Sequence, residues 1–269
     1  MISFPHAKIN LGLNILQKRP DGYHNIESLF VPVPWCDILE IIPSEQSSFS
    51  QTGIEIPSDG KPNLCVRAYE LLQEEYHIPP VSIFLHKVIP IGAGLGGGSS
   101  DAAFVLRMLR DLFELALEES DLVAYAAQLG SDCAFFTQDQ AQFCFEKGDI
   151  FEAFPLDLKG IYMVLVYPDL LISTQEAYRL VRPASAEIPL KEVLQKPRTA
   201  WKNTLHNDFE RFITPHYPMI AEVKTQLYAQ GAFYAAMSGS GSTLFGLFSE
   251  EKDLSTAFPT NFSLWQGFL

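Results

Sequence analysis

Apolar and polar residues alternate along the first 45 positions in the manner of β-strands. The segment Ala7–Leu16 places four apolar side chains on one face: Ile9, Leu11, Leu13 and Ile15. SLFVPV and DILEII predict two further strands, and Val81–Val88 predicts another. KRPDGYH at 18–24 predicts a turn between the first two strands, because its proline fixes one φ and its glycine accepts a positive φ.

The apolar spacing then changes to that of amphipathic helices. Asn63–Tyr76 predicts a helix in which the first residue, an asparagine, is a suitable N-cap. A second helix is predicted after the glycine-rich stretch, with its N-cap at Ser99 or Ser100. A third is predicted after Ser120 and ends at Gly130.

The second half of the chain mixes short strands, one helix and irregular segments. Ile161–Tyr167 predicts a buried strand, whereas 181–198 contains three prolines and predicts a mobile connection or lid. Pro218–Gln230 predicts a helix, and Phe233–Met237 and Thr243–Phe248 predict strands on either side of SGSGS. Because strands and helices do not alternate regularly, we expect an α+β fold rather than a doubly wound sheet.

Composition and charge narrow the class of protein. The 269 residues contain 47% apolar residues, which is typical of globular chains, and the length predicts about two domains. The net charge of −13 argues against nucleic-acid binding. The four cysteines form no CxxC pair, so we expect reduced, mostly buried thiols. Neither a signal-peptide pattern nor an apolar run of membrane-spanning length is found, which predicts a cytoplasmic protein without membrane contact.

The stretch PIGAGLGGGSSDAA at 90–103 is the strongest chemical signal. Its glycines satisfy G-x-G-x-x-G, but the nearest acidic residue at the spacing of a dinucleotide site, Asp111, falls inside a helical pattern. It also lacks the lysine of a Walker A loop. A tightly packed glycine turn is one alternative. Bare amides before a helix N-terminus favour a phosphate cradle instead, with amides rather than lysines holding the anion.

Four stretches resemble the GHMP kinases, a superfamily of small-molecule ATP kinases. The glycine loop is similar to their phosphate loop. AKINLGLNI, PDGYHNIESLF and the GSD at 130–132 resemble the branch that acts on 4-diphosphocytidyl-2-C-methyl-D-erythritol in the non-mevalonate isoprenoid pathway. The resemblance runs from Ala7 to about Gly246. It implies two α+β domains, 1–152 and 153–269, with the active site in the cleft between them. Residues 1–152 would hold the ATP and catalytic residues.

The resemblance assigns catalysis to Asp132 and Lys8. The acceptor hydroxyl must lose a proton as it attacks the γ-phosphate, and Asp132 is expected to receive that proton as the base. Lys8 would keep the carboxylate ionised and stabilise charge on the attacking oxygen. Taken alone, a surface carboxylate and a solvated strand lysine are the ordinary alternatives for these two residues.

The resemblance also assigns substrate and ATP contacts. Substrate-binding residues would be Asn10, Tyr23, His24, Thr174 and Tyr178, with the two tyrosines on either side of the cytosine. ATP would be held by Gly92, Gly94, Gly96, Gly97, Gly98, Ser99 and Ser100, with Asn63 and Lys87 near the adenine. Gly239, Ser240 and Gly241 would line the same cleft.

Mg²⁺ is expected with ATP, although the acidic residues do not form a dedicated metal cage, and Asp101 is not expected to be a ligand. The partner is a small molecule bearing cytidine diphosphate, and the chain is expected to be a monomer or a weak homodimer. Kinases acting on homoserine or mevalonate, and a nucleotide-binding regulator without activity, are the alternatives. The Tyr-His turn argues against the first and the Lys8–Asp132 pair against the second.

Overall fold

The computed structural model describes residues 1–57 and 60–269. The strands are β1 (Ile2–Ser3), β2 (His6–Lys18), β3 (His24–Cys36), β4 (Ile38–Pro43), β5 (Ser48–Gly53), β6 (Val81–Lys87), β7 (Gln142–Phe145), β8 (Ile150–Ala153), β9 (Tyr162–Tyr167), β10 (Tyr234–Met237), β11 (Leu244–Phe248) and β12 (Ser263–Phe268). The helices are α1 (Leu64–Tyr76), α2 (Gly97–Leu112), α3 (Glu119–Leu129), α4 (Thr174–Leu180), α5 (Leu190–Leu194), α6 (Arg198–Thr204), α7 (Asp208–Ile213) and α8 (Pro218–Ala229), with a 3₁₀ helix at Cys133–Thr137. This mixture confirms the α+β class.

The chain divides into two compact units that each use several separate segments. Unit 1 comprises Met1–Ala7, Trp35–Ile91 and Gly96–Asp139, and unit 2 comprises Lys8–Pro34, Gly92–Leu95 and Gln140–Leu269. The chain therefore passes from one unit to the other five times. The division of the linear chain into 1–152 and 153–269 stays a prediction.

Unit 1 contains a four-stranded sheet in the order β1-β4-β6-β5. Strand β4 pairs antiparallel with β6, and β5 pairs parallel with the other side of β6. Every second residue of β4 and β6 is buried, as expected for strands with one face in the core. The apolar faces of the helices α1 and α2 are buried as well. The core of this unit includes Leu39, Ile41, Ile83, Leu85, Ala68, Leu72, Leu106 and Leu109.

Unit 2 contains the other two sheets. One has the order β2-β3-β7-β8 and the other the order β10-β11-β9-β12, in which all pairings are antiparallel. The central strands β9 and β11 are almost completely buried, which explains why their sequences, YMVLVY and LFGLF, are continuously apolar. The turn predicted at 18–24 joins β2 to β3, with Gly22 at a φ of 88°.

One prediction of local structure is wrong. Helix α2 begins at Gly97 with Gly96 as its N-cap, so Ser99 and Ser100 lie in its first turn. Glycine is unfavourable inside a helix, but a Cβ on Gly97 would lie 2.8 Å from Lys87 Nζ, so close packing requires it there. The segment 181–198 contains the short helix α5, whose residues Leu190, Val193 and Leu194 are buried, and its role as a mobile connection or lid stays a prediction.

Candidate active site

Lys8 is a buried cation on β2. Its side chain is 3% exposed, and Nζ donates a hydrogen bond of 2.6 Å to Asn10 Oδ1. Nζ also lies 4.5 Å from the ring centroid of Phe30 on β3. The Asn10 amide nitrogen donates to Ser28 Oγ at 2.9 Å, and the Ser28 hydroxyl donates to the Gly12 carbonyl at 2.7 Å. The predicted catalytic lysine therefore sits in a connected hydrogen-bond chain within unit 2.

The two glycine loops meet within unit 2. The Ser238 hydroxyl donates to the Gly94 carbonyl at 2.8 Å and accepts from the Asn10 backbone N–H at 3.3 Å. The backbone is close as well, since a Cβ on Gly94 would stand 2.1 Å from the Ser238 carbonyl oxygen. A Cβ on Gly239 would stand 3.3 Å from Asn10 Oδ1. The small residues of SGSGS thus pack against Asn10 and the start of the first loop.

Asn207 holds the second loop from the other side. Its buried amide nitrogen donates to the carbonyls of Met237 and Gly239, at 2.7 and 2.8 Å, and its Oδ1 accepts from the Phe209 N–H. One side chain therefore caps α7 and secures the SGSGS backbone. Sequence reasoning missed Asn207 and Ser238, although an asparagine directly before DFERF has the form of an N-cap.

The aromatic substrate residues are partly assembled in unit 2. The rings of His24 and Tyr178 stack with centroids 4.9 Å apart and an interplanar angle of 19°, and Phe209 packs edge-on against Tyr178. Burial lowers the pKa of His24 below its usual value, and the charge of Lys18 acts in the same direction. Tyr23 is 60% exposed on the turn. The predicted pair of tyrosines around a cytosine stays a prediction.

Thr174 connects the start of α4 to the second loop. It is the first residue of α4, after the N-cap Ser173, and its hydroxyl oxygen lies 3.2 Å from Ser240 Oγ. The structure therefore brings Asn10, Gly94 and Thr174 to the loop at 238–242, and Lys8 is connected to that loop through Asn10.

In unit 1, the start of α2 offers unshielded backbone. Gly96 is its N-cap at a φ of 71°, and the first turn carries Gly98, an exposed glycine. Among the described residues the buried Ser100 Oγ has no hydrogen-bond partner. Helix N-termini carry N–H groups without intrahelical partners and a partial positive charge, so the residues present fit a phosphate group.

Lys87 occupies a buried charge cluster beneath this helix. Its Nζ donates to Asp37 Oδ2 at 2.5 Å and to Asp101 Oδ2 at 2.7 Å. Asp37 Oδ1 also accepts the N–H groups of Val88 and Ile89, which lead into the glycine loop. Sequence reasoning gave Asp37 no role, and no local signal connects it to residues about fifty positions away.

Two effects set the pKa values in this cluster: burial, and the presence of two carboxyl groups around a single ammonium. Burial alone would lower the pKa of Lys87, but the two carboxylates outweigh it and raise that pKa above its usual value. Burial raises the pKa of Asp101 to about 7, against the effect of the Lys87 ammonium and with a contribution from Asp37. Lys87 is thus a cation held by two acidic groups.

Asp132 lies in unit 1 at the start of the 3₁₀ helix, where it is half-buried. The next residue, Cys133, is buried, and burial raises the pKa of its thiol to about 11, although Ser99 of the first glycine loop acts in the opposite direction. Asn63 is the N-cap of α1, and its Oδ1 accepts the Cys65 N–H at 2.8 Å, as predicted. Unit 1 therefore carries Asp132, the helical part of the phosphate loop, Asn63 and Lys87.

The described residues contain no group of three or more histidine, cysteine, aspartate or glutamate side chains suited to a metal ion. All four cysteines are free thiols, as predicted, and three of them are buried: Cys65, Cys133 and Cys144. In the part of the chain that the structure describes, none of the helices is both long and apolar enough to cross a membrane.

Comparison with known proteins places the chain in a family. The family model described as GHMP kinases N terminal domain matches residues 63–147, and the model GHMP kinases C terminal matches residues 190–260. Relatives named 4-diphosphocytidyl-2-C-methyl-D-erythritol kinase, from Bacteroides fragilis and Cytophaga hutchinsonii, are 51% and 50% identical, each match covering 94% of both chains. The chain belongs to this kinase family. It is a GHMP kinase that uses ATP and acts on a small molecule.

Solved structures agree with that assignment. A crystal structure of 4-(cytidine 5'-diphospho)-2C-methyl-D-erythritol kinase is 33% identical, with a TM-score of 0.80, and the match covers 92% of this chain and 90% of that one. A crystal structure of mevalonate kinase, 15% identical with a TM-score of 0.75 over 99% and 98% of the two chains, shares the fold. The predicted GHMP kinase fold is confirmed.

Proposed function

We propose that this kinase transfers the γ-phosphate of ATP to the 2-hydroxyl of 4-diphosphocytidyl-2-C-methyl-D-erythritol, giving the 2-phosphate and ADP. The names of the relatives support the substrate. The structural observation that carries the proposal is the buried Lys8 ammonium, held at 2.6 Å by Asn10 on the strand that contains AKINLGLNI. A buried cation with an oriented ammonium suits an oxygen that becomes more negative during the reaction.

Asp132 is the proposed base and Lys8 its partner. The acceptor hydroxyl gives its proton to the Asp132 carboxylate as its oxygen bonds to phosphorus and the bond to the leaving ADP oxygen breaks. Lys8 stabilises the negative charge that develops on the attacking oxygen. These roles need no covalent intermediate on the protein.

The substrate's cytosine is proposed to bind at the aromatic group of unit 2. The Tyr178 ring is already stacked on His24 and packed edge-on against Phe209, which holds its orientation. Tyr23 supplies a second, exposed ring on the adjoining turn. Asn10 and Thr174 are proposed to contact the polar parts of the substrate, because both lie at the second glycine loop.

The phosphates of ATP are proposed to bind the backbone of the first glycine loop, from Gly92 to Ser100, with Asn63 and Lys87 near the adenine. Mg²⁺ is proposed to accompany ATP and to offset the charge of its phosphates. Since the described residues offer no cluster of ligating side chains, the nucleotide itself is expected to supply most metal contacts. We further propose that the enzyme works in the cytoplasm as a monomer or a weak homodimer.

A coupled assay of ADP release tests the proposed reaction. The purified protein is supplied with ATP, Mg²⁺ and one acceptor at a time: the diphosphocytidyl substrate, homoserine or mevalonate. We expect turnover with the first alone. Turnover only with homoserine or mevalonate would contradict the proposal, and ATP binding without turnover of any acceptor would favour a regulatory protein.

Replacing the proposed base tests the mechanism. Asp132→Asn keeps the shape of the side chain but cannot take up the proton, so we expect kcat to fall by roughly 10²- to 10⁴-fold while the KM for ATP changes little. Steady-state kinetics on the diphosphocytidyl substrate measure both. The matched control is Asp111→Asn, which changes a carboxylate on the surface of α2 that pairs with Arg110. An unchanged kcat in Asp132→Asn would remove Asp132 from the mechanism.

A further inference from the structure

Ser28 is a polar residue on the buried face of β3. It is 0% exposed and shares that face with Ile26 and Phe30, two strand positions away on either side. A hydroxyl in such a place is costly unless it is hydrogen-bonded. Ser28 makes two hydrogen bonds, one to the Asn10 amide and one to the Gly12 carbonyl.

The hydrogen-bond chain of Lys8, Asn10, Ser28 and Gly12 has one consistent direction. An ammonium can only donate and a carbonyl can only accept, so the two ends of the chain are fixed. The Ser28 proton is therefore committed to Gly12, and its oxygen must accept from the NH₂ group of Asn10. The Asn10 oxygen is consequently turned toward Lys8, at 2.6 Å.

The Gly12 carbonyl, which is the acceptor at the end of this series of hydrogen bonds, is held firmly in place. Gly12 has a φ of 78°, and a Cβ there would stand 2.6 Å from Leu205 Cδ1 and 2.7 Å from Leu190 Cδ1. Leu190 of α5 and Leu205, which directly follows α6, thus pack on the backbone whose carbonyl anchors Ser28. Strand β3 also places the Phe30 ring 4.5 Å from Lys8 Nζ. Two neighbouring inward positions of β3 therefore contribute to the placement of the ammonium, Phe30 directly and Ser28 through Asn10.

We propose that Ser28 is a positioning residue, which fixes the orientation of the Asn10 amide and, through it, aims the Lys8 ammonium for phosphoryl transfer. The inference rests on the role proposed above for Lys8. Without the Ser28 hydroxyl, the Asn10 amide can rotate by half a turn. In either orientation the buried NH₂ group has lost its hydrogen-bond acceptor or faces the Lys8 ammonium, so the Asn10 oxygen no longer holds its place beside Lys8 Nζ.

Steady-state kinetics of Ser28→Ala test this proposal. We expect kcat to fall by roughly 10- to 100-fold, the usual scale for a misplaced catalytic group, while the KM values for ATP and acceptor change by less than about threefold. Ser28→Thr, which keeps the hydroxyl, should recover most of the lost kcat. Thr225→Val is the matched control, since it removes a hydroxyl on α8 that donates to the Ala221 carbonyl, and its kcat should equal that of the wild type.

A double-mutant cycle separates positioning from general structural support. If Ser28 acts through Asn10, Ser28→Ala should lower kcat by less than about twofold in an Asn10→Ala background. Equal losses in both backgrounds, or a folded Ser28→Ala enzyme with unchanged kcat, would overturn the inference. If Ser28→Ala does not fold, Ser28→Cys keeps the volume with a weak hydrogen-bonding group and should show the same pattern. A wild type inactive on the diphosphocytidyl substrate would instead overturn the proposed function.

Discussion

Lys87 is enclosed by acidic groups that leave its ammonium little freedom. Asp37 and Asp101 both bind it, its side chain is about 2% exposed, and Gly97 lies directly over it. A cation in this position holds the end of β6 and the first turns of α2 in one arrangement. Its main contribution is therefore expected to be to stability, whereas the resemblance to the GHMP kinases predicts a place near the adenine.

Removing the charge of Lys87 distinguishes these two roles. Lys87→Met preserves much of the side-chain volume but leaves two buried carboxylates without their cation, so we expect the free energy of unfolding to fall by about 3–5 kcal/mol. Urea unfolding measures this loss, and Lys159→Met, at an exposed lysine, should change stability by less than about 0.5 kcal/mol. A stable Lys87→Met enzyme with a strongly raised KM for ATP would show instead that Lys87 serves the nucleotide.

The sequence predicted the role of a residue only where its hydrogen-bond partner lies within a few positions along the chain. Asn63 was predicted as a helix cap because its partner, the Cys65 N–H, is two residues away. The partners of Lys87 are 50 and 14 residues away, and Ser238 binds a carbonyl 144 residues away. The roles of such residues are set by the tertiary fold. Ser28 belongs to this group as well: the sequence predicted its strand, but neither its burial nor its bonds to Asn10 and Gly12.

Among the elements, the first glycine loop carries two different kinds of glycine. Gly94 has a φ of 79° and backs directly onto the Ser238 carbonyl, whereas Gly98 lies in α2 with its nearest obstacle, Leu64 Cδ1, at 3.9 Å from the position of a Cβ. Packing within unit 2 requires glycine at position 94. Position 98 has room for a methyl group, so packing alone does not explain why it is a glycine.

Alanine substitutions at these two positions should therefore behave in opposite ways. Gly94→Ala is expected to lose several kcal/mol of stability or to fail to fold, because both its φ and its contact with backbone are unfavourable. Gly98→Ala is expected to keep or raise the thermal midpoint, since alanine favours helix, while raising the KM for ATP about tenfold or more if the phosphates approach this backbone. Thermal unfolding and kinetics measure both; an unchanged KM in Gly98→Ala would place the phosphates elsewhere.

Long, strongly patterned elements and the short apolar strands β9, β10 and β11 were predicted well, whereas the shortest helices were not. Strand β2 and helices α1 and α8 have clear periodicity and recognisable ends. Helices α5, α6 and α7 contain five to seven residues each, which is too short for a helical period to repeat. Their formation depends on burying a few side chains, such as Trp201 in α6, against other parts of unit 2.

At the scale of the whole molecule, unit 2 depends on residues from both ends of the chain. Leu190 and Leu205 pack on Gly12, Asn207 bridges to Leu13, and the Asp208 carboxylate accepts the Ile15 N–H at 2.7 Å. The segment 153–269 therefore uses β2 as part of its core. A division of the chain near residue 152 can separate two sequence motifs without separating two folding units.

Expressing the segment 153–269 alone tests that point. We expect it to lack a cooperative thermal transition, because β2 and β3 would be missing and the apolar side chains that pack on them would be exposed. Circular dichroism during heating, with the full chain as the control, gives the answer. A cooperative transition in the isolated segment would show that the predicted boundary marks an independent domain.

The contact between Gly94 and Ser238 also has a genetic consequence. At Gly92 the obstacle to a methyl group is a side-chain atom, Leu171 Cδ1 at 2.8 Å, so a second mutation that shortens Leu171 can relieve part of the damage of Gly92→Ala. At Gly94 the obstacle is a backbone carbonyl, which every residue at position 238 possesses. A search for intragenic suppressors should therefore recover changes at 171 for the first mutant and none at 238 for the second.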